Sequence, residues 1–428
     1  MSQTTKPAKR GRHTVARHGE LKSPHPLALV AKIIGVVTAV ALVSGFGVAA
    51  YAAIDITTSF TEDAVALEGQ DPVPPDIGAI EGGVNLFLAG TDACEEAYAG
   101  YFGKRCTGAD AGGELNDVNM LVHISDAPRR VTVISFPRDL MLPIPSCTRE
   151  DGSQSSAMSK QPINTAYSVG GLSCVVKTVS QLSTQNIPFA AKVTWGGVIE
   201  VTNAVGGVDV CLASGIKDPF TGINWPAGTR NIAGIEALQF LRTRHGVGDG
   251  SDLGRVSNQQ QYMSRLARKL MSEDVLSNPA TLYKLATTTV ENITPSQSLT
   301  NPLTLVQIAL AMKNVPFEDI VFLQYPVLSD PADPNKVVPD PSAAQALWDA
   351  LATNQPLKLT GEAGSNEGVV VVEPDPATAP VETPAPTATP TPGETTAPVE
   401  QAVELPSSIT GSTAAQETCS NGNQRGRG

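Results

Sequence analysis

The chain has 428 residues, a net charge of −12, and 41% apolar residues with few aromatics. That length suffices for two or three domains, or for one sizeable core with long extensions. Its acidic balance repels polyanions at long range, which excludes extended nucleic-acid binding.

The first segment, 1–32, runs against the overall charge. It holds Lys6, Lys9, Arg10, Arg12, Arg17, Lys22 and Lys32 against the single acid Glu20. Residues 33–54, "IIGVVTAVALVSGFGVAAYAAI", are uncharged and long enough for one membrane-spanning helix. Basic residues before such a span belong on the cytoplasmic side, so the chain after it is expected outside the cell membrane. A cleaved signal peptide is the alternative, since "AYA" at 50–52 resembles a processing site. Residues 55–82, polar and spaced by prolines, read as a stalk.

From 83 to 275 the pattern is that of a mixed α/β domain. "VNLFLAG" (84–90), "VNMLVHIS" (118–125) and "RVTVISF" (130–136) are β-rich runs. "GGLSCVVKTVSQL" (170–182) has helical spacing, "AAKVTW" (190–195) reads as strand, "GGVIEVTNAVGG" (196–207) as a short helix and "VDVCLA" (208–213) as strand. Such alternation predicts a sheet buried between helices. "IAGIEALQFL" (232–241) predicts a helix ending near Phe240, with Arg242 and Arg244 on a short strand, two residues apart and on one face. A glycine-rich loop follows, and Arg255 then opens a helix that carries Gln259 one turn on.

Residues 276–356 predict helices at 279–290 and 301–313, a strand "IVFLQYP" and a helix around "AAQALWDAL", an extension packed on the domain. The segment 357–428 is Pro/Thr-rich in large part and reads as a disordered tail.

Cys94 with Cys106 and Cys147 with Cys174 each bracket a loop, which in an oxidising compartment suggests two disulfides. Connectivity is not deducible from spacing, and Cys211 and Cys419 are left over. There is no CxxC pattern for a metal.

Three arginines around one glycine-rich turn in an acidic chain point to a local anion. Guanidinium forks bridge two oxygens at once, which suits a diphosphate. Arg138 in "SFPRDL" follows a buried strand, where open α/β sheets form their crevices. Asp92 follows the first strand and Asp117 stands before the second. Two carboxylates beside these arginines suit a divalent cation bridging phosphates and a base for an attacking hydroxyl. The plainer alternatives are a turn residue at Asp92, a surface ion pair at Arg138 and Asp139, and a solvated face at Arg255 and Gln259.

The order of these pieces resembles the LytR-CpsA-Psr proteins of bacterial cell envelopes. The resemblance rests on "VNLFLAGTD", "NDVNMLVHISDAPRRVTVISFPRDL", "INTAYSVGG", "GGVIEVTNAVGGVDV" and "GIEALQFLRTRHG…DLGRVSNQQQ", covering about 84–272. It implies a central mixed β-sheet flanked by helices. It also implies a phosphotransferase that moves a glycopolymer from a polyprenyl diphosphate onto peptidoglycan through a phosphodiester, with Mg²⁺ or Mn²⁺ and a possible pyrophosphatase side activity. By position, Arg138, Arg242, Arg244 and Arg255 would grip the diphosphate with Gln259 assisting, and Asp92 and Asp117 would hold the metal or orient the incoming hydroxyl. The implied partners are the polyprenyl-linked glycan, the peptidoglycan acceptor and membrane lipid.

The chain departs from the family pattern at three places. Leu115 stands where a basic residue is usual, Val118 where Thr is usual, and Pro162 where Lys is usual, with Lys160 the nearest substitute. Two other functions fit the arginines: a non-catalytic scaffold for polyprenyl-linked glycans, which would not require Asp92 or Asp117, and a polyprenyl-diphosphate phosphatase, in which water attacks. A transcriptional regulator would need a DNA-binding module, and no helix-turn-helix pattern occurs before residue 33.

Overall fold

The structure is a computed structural model that describes residues 61, 63–73, 83–108, 113–272, 275, 278–372 and 401–423. The basic segment and the apolar stretch at 33–54 lie outside these residues. Among the described residues no helix is long and apolar enough to cross a membrane.

The chain begins with strands β1 (Val84–Thr91), β2 (Asn116–Ile124) and β3 (Val131–Phe136), the hairpin β4 (Met141–Ile144) and β5 (Met158–Pro162), and helix α1 (Asn164–Ser183). Next come β6 (Phe189–Thr194), α2 (Trp195–Val205), β7 (Val208–Leu212), β8 (Ile216–Asp218), β9 (Ile223–Trp225) and β10 (Gly228–Ile232). Helices α3 (Gly234–Arg242), α4 (Asp252–Leu270) and α5 (Pro279–Asn292) lead to β11 (Ile293–Pro295), α6 (Pro302–Met312) and β12 (Ile320–Gln324). The hairpin β13 (Val327–Asp330) and β14 (Asp333–Pro339), helix α7 (Pro341–Ala352) and five short strands finish it. Those strands are β15 (Leu357–Lys358), β16 (Val369–Val371), β17 (Val403–Glu404), β18 (Gly411–Thr413) and β19 (Thr418–Ser420).

Seven strands form the central sheet in the order β11-β6-β1-β2-β3-β12-β18. It is mixed: β1 runs parallel to β6 and β3 parallel to β12, while β1–β2 and β2–β3 are antiparallel. Alternation along β1 feeds both faces. Phe87 and Ala89 join the core under α1 and α7, and Leu86 and Leu88 join the core on the opposite face with residues of α4 and α6. Every residue of β3 is buried, as its run of Val, Thr and Ile requires of a strand covered on both sides. A second sheet, β10-β7-β19-β16, packs its own apolar cluster against α3 and α4.

Three expectations about domain limits are corrected. The extension at 276–356 is integral, because β11 and β12 are strands of the central sheet. Residues 63–73, expected within a stalk, lie against the domain: the Glu68 N–H donates to Ser173 Oγ at 2.9 Å and Lys177 Nζ reaches Glu68 Oε2 at 3.0 Å. The tail is ordered at 357–372 and 401–423, where the proline-rich composition does not extend. There β18 pairs with β12 and β19 pairs with β16.

All six cysteines are paired: Cys94–Cys106, Cys147–Cys174 and Cys211–Cys419. The last bond ties β7 to β19 across 208 positions of sequence. The C-terminal segment then reaches the loop between α3 and α4. Gly248 N–H donates to Asn421 O at 2.9 Å and Asn423 N–H to Gly246 O at 2.8 Å. Gly248 has φ +53, and a Cβ there would lie 2.3 Å from Asn366 O, so glycine is required for this approach.

Candidate functional site

Asp92 leaves the end of β1, and both its carboxylate oxygens are engaged. Oδ1 accepts the Leu115 N–H at 2.7 Å and Oδ2 accepts Arg105 Nε at 2.9 Å. Arg105 Nη2 also donates to the Asp92 carbonyl at 3.2 Å. Sequence reading did not single out Arg105, which arrives from the loop closed by Cys94–Cys106. Its signal was a basic residue beside a cysteine of a short bridged loop.

Asp117 lies inside β2, one residue past its start, and not before it as expected. Oδ1 accepts Arg138 Nη1 at 2.8 Å, and Arg255 Nη2 donates to the Asp117 carbonyl at 3.1 Å. Among the described residues Oδ2 meets only Arg255 Nη1, at the longer ion-pair distance of 4.0 Å. Burial alone would raise the Asp117 carboxyl, but Arg255 and Arg138 hold it below the ordinary carboxylate value. Burial opposes the charge of Arg138 likewise, and Asp117 and Asp252 outweigh it and raise that guanidinium.

Helix α4 starts at Asp252, three residues earlier than expected, with the Ser251 hydroxyl capping the Gly254 N–H. Asp252 was not among the expected site residues. It is buried, 2.7 Å from Arg255 Nη2 and 3.5 Å from Arg138 Nε, with Oδ2 lacking a hydrogen-bond partner. The carboxylate at the first turn of α4 therefore sets the spacing of two arginines.

Helix α3 continues through Arg242, so Arg242 and Arg244 do not share a strand face as expected. Thr243 leaves the helix in extended conformation, and the two side chains separate. Arg242 lies over the Trp195 ring, 3.8 Å from its centroid, and 5.5 Å from that of Phe102. Among the described residues no hydrogen bond or ion pair reaches its guanidinium. Burial lowers its pKa; Asp117 and Asp92 offset this in part, and Arg255 and Arg105 add to it. Arg242 is thus a partly desolvated cation short of negative charge. Arg244 gives its backbone N–H to Asp218 Oδ2 at 3.1 Å; among the described residues its buried Nε has no partner and no contact joins it to the other three arginines.

Gln259 donates Nε2 to Leu241 O at 2.9 Å, so its amide fastens α4 to the end of α3. Lys160, the expected substitute near Pro162, bonds Asp330 at 2.8 Å and belongs to another surface. Of the expected set, the structure brings together Asp92, Asp117, Arg138, Arg242 and Arg255, with Gln259 behind them.

A cavity of about 210 Å³ opens between the sheet and helices α2, α3 and α4. Leu88, Val118 and Met120 form its sheet side, and Val198, Val201, Leu238, Leu241, Met263 and Leu266 its helix side. Val118, one of the departures, contributes a methyl surface here. The charged members of the lining are Asp117, Arg242 and Arg255, which neighbour one another. An apolar cleft with one charged station suits an amphiphile that carries an anionic head.

The two aspartates offer hard oxygen donors of the kind Mg²⁺ takes, usually one or two carboxylates together with substrate phosphates. Asp117 Oδ2, which no close hydrogen bond reaches among the described residues, fits such a role. Among the described residues no group of three or more His, Cys, Asp or Glu side chains forms a ligand set.

The LytR_cpsA_psr family description matches residues 50–353. Over 309 residues the chain is 26% identical to the cell wall biosynthesis protein LcpA of Corynebacterium glutamicum, covering 68% of this chain and 58% of that protein. To the probable cell wall biosynthesis protein LcpB of the same organism it is 28% identical over 285 residues, covering 66% and 64%. The matches thus span about three fifths of the length of these two relatives. Over 173 residues, 39% of this chain and 43% of the relative, it is 33% identical to the polyisoprenyl-teichoic acid–peptidoglycan teichoic acid transferase TagV of Bacillus subtilis. Among solved structures it is similar in fold to a LytR-Csp2A-Psr enzyme from Actinomyces oris, with a TM-score of 0.50 and 21% identity over 68% of this chain and 96% of that one. Since the family match takes in most of the sequence, the chain belongs to the LytR_cpsA_psr family.

Proposed function

We propose that this protein is an extracytoplasmic phosphotransferase that moves a glycopolymer from a polyprenyl diphosphate onto peptidoglycan. The observation that carries this is Arg242, a cation that no carboxylate bonds among the described residues, held on Trp195 beside an apolar cavity. A polyprenyl diphosphate has the complementary form: the prenyl chain takes the cavity and the diphosphate takes Arg242, Arg255 and Arg138. The relatives' names, which concern cell wall biosynthesis and teichoic acid transfer, support the same reading.

The step is a phosphoryl transfer. The acceptor hydroxyl oxygen forms a bond to the phosphorus that bears the glycan, and the bond from that phosphorus to the bridging oxygen breaks. Polyprenyl phosphate leaves, and the hydroxyl proton passes to Asp92 and from there to solvent. The arginines neutralise charge on the departing phosphate, as such clamps do in other phosphoryl transfers. Asp92 and Asp117 would hold Mg²⁺ or Mn²⁺, which would supply further charge neutralisation when bound. The presence of Asp92 and Asp117 beside the arginines favours transfer over a purely binding role.

Three disulfides are characteristic of an oxidising compartment, which supports a location outside the cytoplasm with residues 33–54 as the anchor. The test is a transfer assay with full-length protein, a polyprenyl-diphosphate-linked glycan and peptidoglycan. A glycan joined through phosphate to peptidoglycan is expected, with release of polyprenyl monophosphate. Binding of the lipid without transfer, in the presence of Mg²⁺ or Mn²⁺, would leave only the scaffold role.

A further inference from the structure

A second space meets the site at Asp92. It is an open groove of about 1100 Å³ with charged side chains in its lining, far larger than the apolar cavity. Thr91 lines the cavity and Asp92 lines the groove, so consecutive residues at the end of β1 belong to different spaces. Arg105, Glu114, Arg149, Tyr167 and Lys192 of β6 are part of its lining.

Two parts of the lining are braced. The Cys94–Cys106 bond closes the loop that delivers Arg105 to Asp92. Elsewhere in the lining α1 breaks at Gly170 and Gly171, the latter at φ +59 and ψ −153, a conformation that requires glycine. The break sits on the Cys147–Cys174 bond: a Cβ at Gly170 would lie 2.8 Å from Thr148 O and about 3 Å from the Cβ atoms of both cysteines. Helix, break and loop 147–151 are thereby held as one unit.

The chemistry of the lining selects a ligand class. Arg105 is paired with Asp92, and Lys192 lies 3.4 Å from Glu114. Burial raises the Tyr167 phenol, and the charges of Glu114 and Glu150 add to this, so it stays a neutral donor. Arg149 bonds Ser153 Oγ and the Gln154 carbonyl, and with Glu150 and Asp151 beside it the lining carries no excess of cations. A polyanion finds no excess positive charge there, and an acyl chain would have to strip water from the ion pairs. Saccharide hydroxyl and acetamide groups bond donors and acceptors alike, and the Tyr167 ring offers an apolar face.

We propose that this groove binds the acceptor glycan strand and presents its hydroxyl at Asp92, opposite the lipid diphosphate. The inference rests on the transferase reading. It separates the two substrates by chemistry: the prenyl chain enters through the apolar cavity, the acceptor through the polar groove. The acceptor oxygen then bonds to phosphorus as polyprenyl phosphate leaves toward the cavity, with the proton going to Asp92.

The experiment uses the full-length protein and its Tyr167→Ala, Tyr167→Phe and Arg149→Ala variants, each checked for an unchanged unfolding transition. KM for a soluble peptidoglycan oligosaccharide and the affinity for a polyprenyl diphosphate are measured on each. Tyr167→Ala and Arg149→Ala should raise the acceptor KM about tenfold or more and leave lipid affinity within twofold, while Tyr167→Phe recovers most of the loss. Parental acceptor KM in both alanine variants would overturn the proposal. If the parent transfers nothing, direct titration with the same oligosaccharide decides. Binding that is lost in Tyr167→Ala supports the groove although the transferase reading fails, and absence of binding overturns both.

Discussion

The Arg242 guanidinium lies 3.8 Å from the centroid of the Trp195 ring, the first residue of the helix that follows β6. Phe102 packs on the same indole at 4.4 Å, so a residue of the bridged loop backs the platform. Such a stack is worth about 0.5–2 kcal/mol and fixes the cation without neutralising it. Trp195→Leu should therefore weaken polyprenyl diphosphate binding by about twofold to thirtyfold, and Trp195→Phe by less, as measured by titration calorimetry on folded variants.

Asp117 separates binding from chemistry. Its carboxylate neutralises Arg138 and Arg255, so Asp117→Asn leaves those cations more available to phosphate. Diphosphate affinity should be retained or rise, while transfer falls by about 100-fold or more, the usual scale for a lost acid–base or metal-holding group. Chelation of divalent cations should give the same split, read from lipid binding and product formation side by side.

The bond between Cys211 and Cys419 holds the C-terminal segment against the arginine-bearing loop. Gln261 adds to the join by donating to the carbonyls of Cys211 and Thr418 at 3.1 and 3.3 Å. Replacing Cys211 and Cys419 by serine should cost roughly 2–5 kcal/mol of stability. Denaturant titration measures that loss, and amide exchange should show residues 246–251 opening first among the core-attached loops.

His123 gives the fold a pH dependence. It is buried, Nδ1 donates to Asn85 Oδ1 at 2.9 Å, and among the described residues Nε2 has no partner to hold a proton. Burial pushes its pKa down to about 4 from the ordinary 6.5. As pH falls below 6.5 the unfolded chain takes up a proton that the folded chain refuses, so stability is lost progressively down to about 4. The full loss is up to about 3 kcal/mol. The lowered Asp117 carboxyl acts below the ordinary carboxylate value and does not overlap this window. Denaturation midpoints between pH 7.5 and 4.5 should fall in the parent, with a clearly flatter slope in His123→Gln.

Much of this was legible in the sequence because it is local. The runs around Phe87, Leu121 and Val133 carry β-branched and apolar patterns that fix strands wherever they pair. Asp92, Asp117, Arg138 and Arg255 stand at strand ends or a helix start, and such positions follow from the elements. What was not legible is non-local. The sequence pattern did not show that β12 completes the central sheet beside β3, nor that Cys419 returns to Cys211, since both depend on partners far away in the chain. Arg105 is local to Asp92, 13 residues away, but its loop has no strand or helix pattern that would place its side chain. The Arg242 and Arg244 spacing misled because two residues share a face only in extended chain, and α3 keeps Arg242 helical.

The most direct test of the central claim is the affinity of the full-length protein for a polyprenyl diphosphate, compared between the parent and Arg242→Ala. A charge-assisted hydrogen bond to phosphate is worth about 1.5–3 kcal/mol. The variant should therefore bind about 10- to 150-fold more weakly with its unfolding transition intact. A folded Arg242→Ala that binds the lipid diphosphate with parental affinity would contradict the account, because the cation left short of negative charge would then not be the one that meets the phosphate.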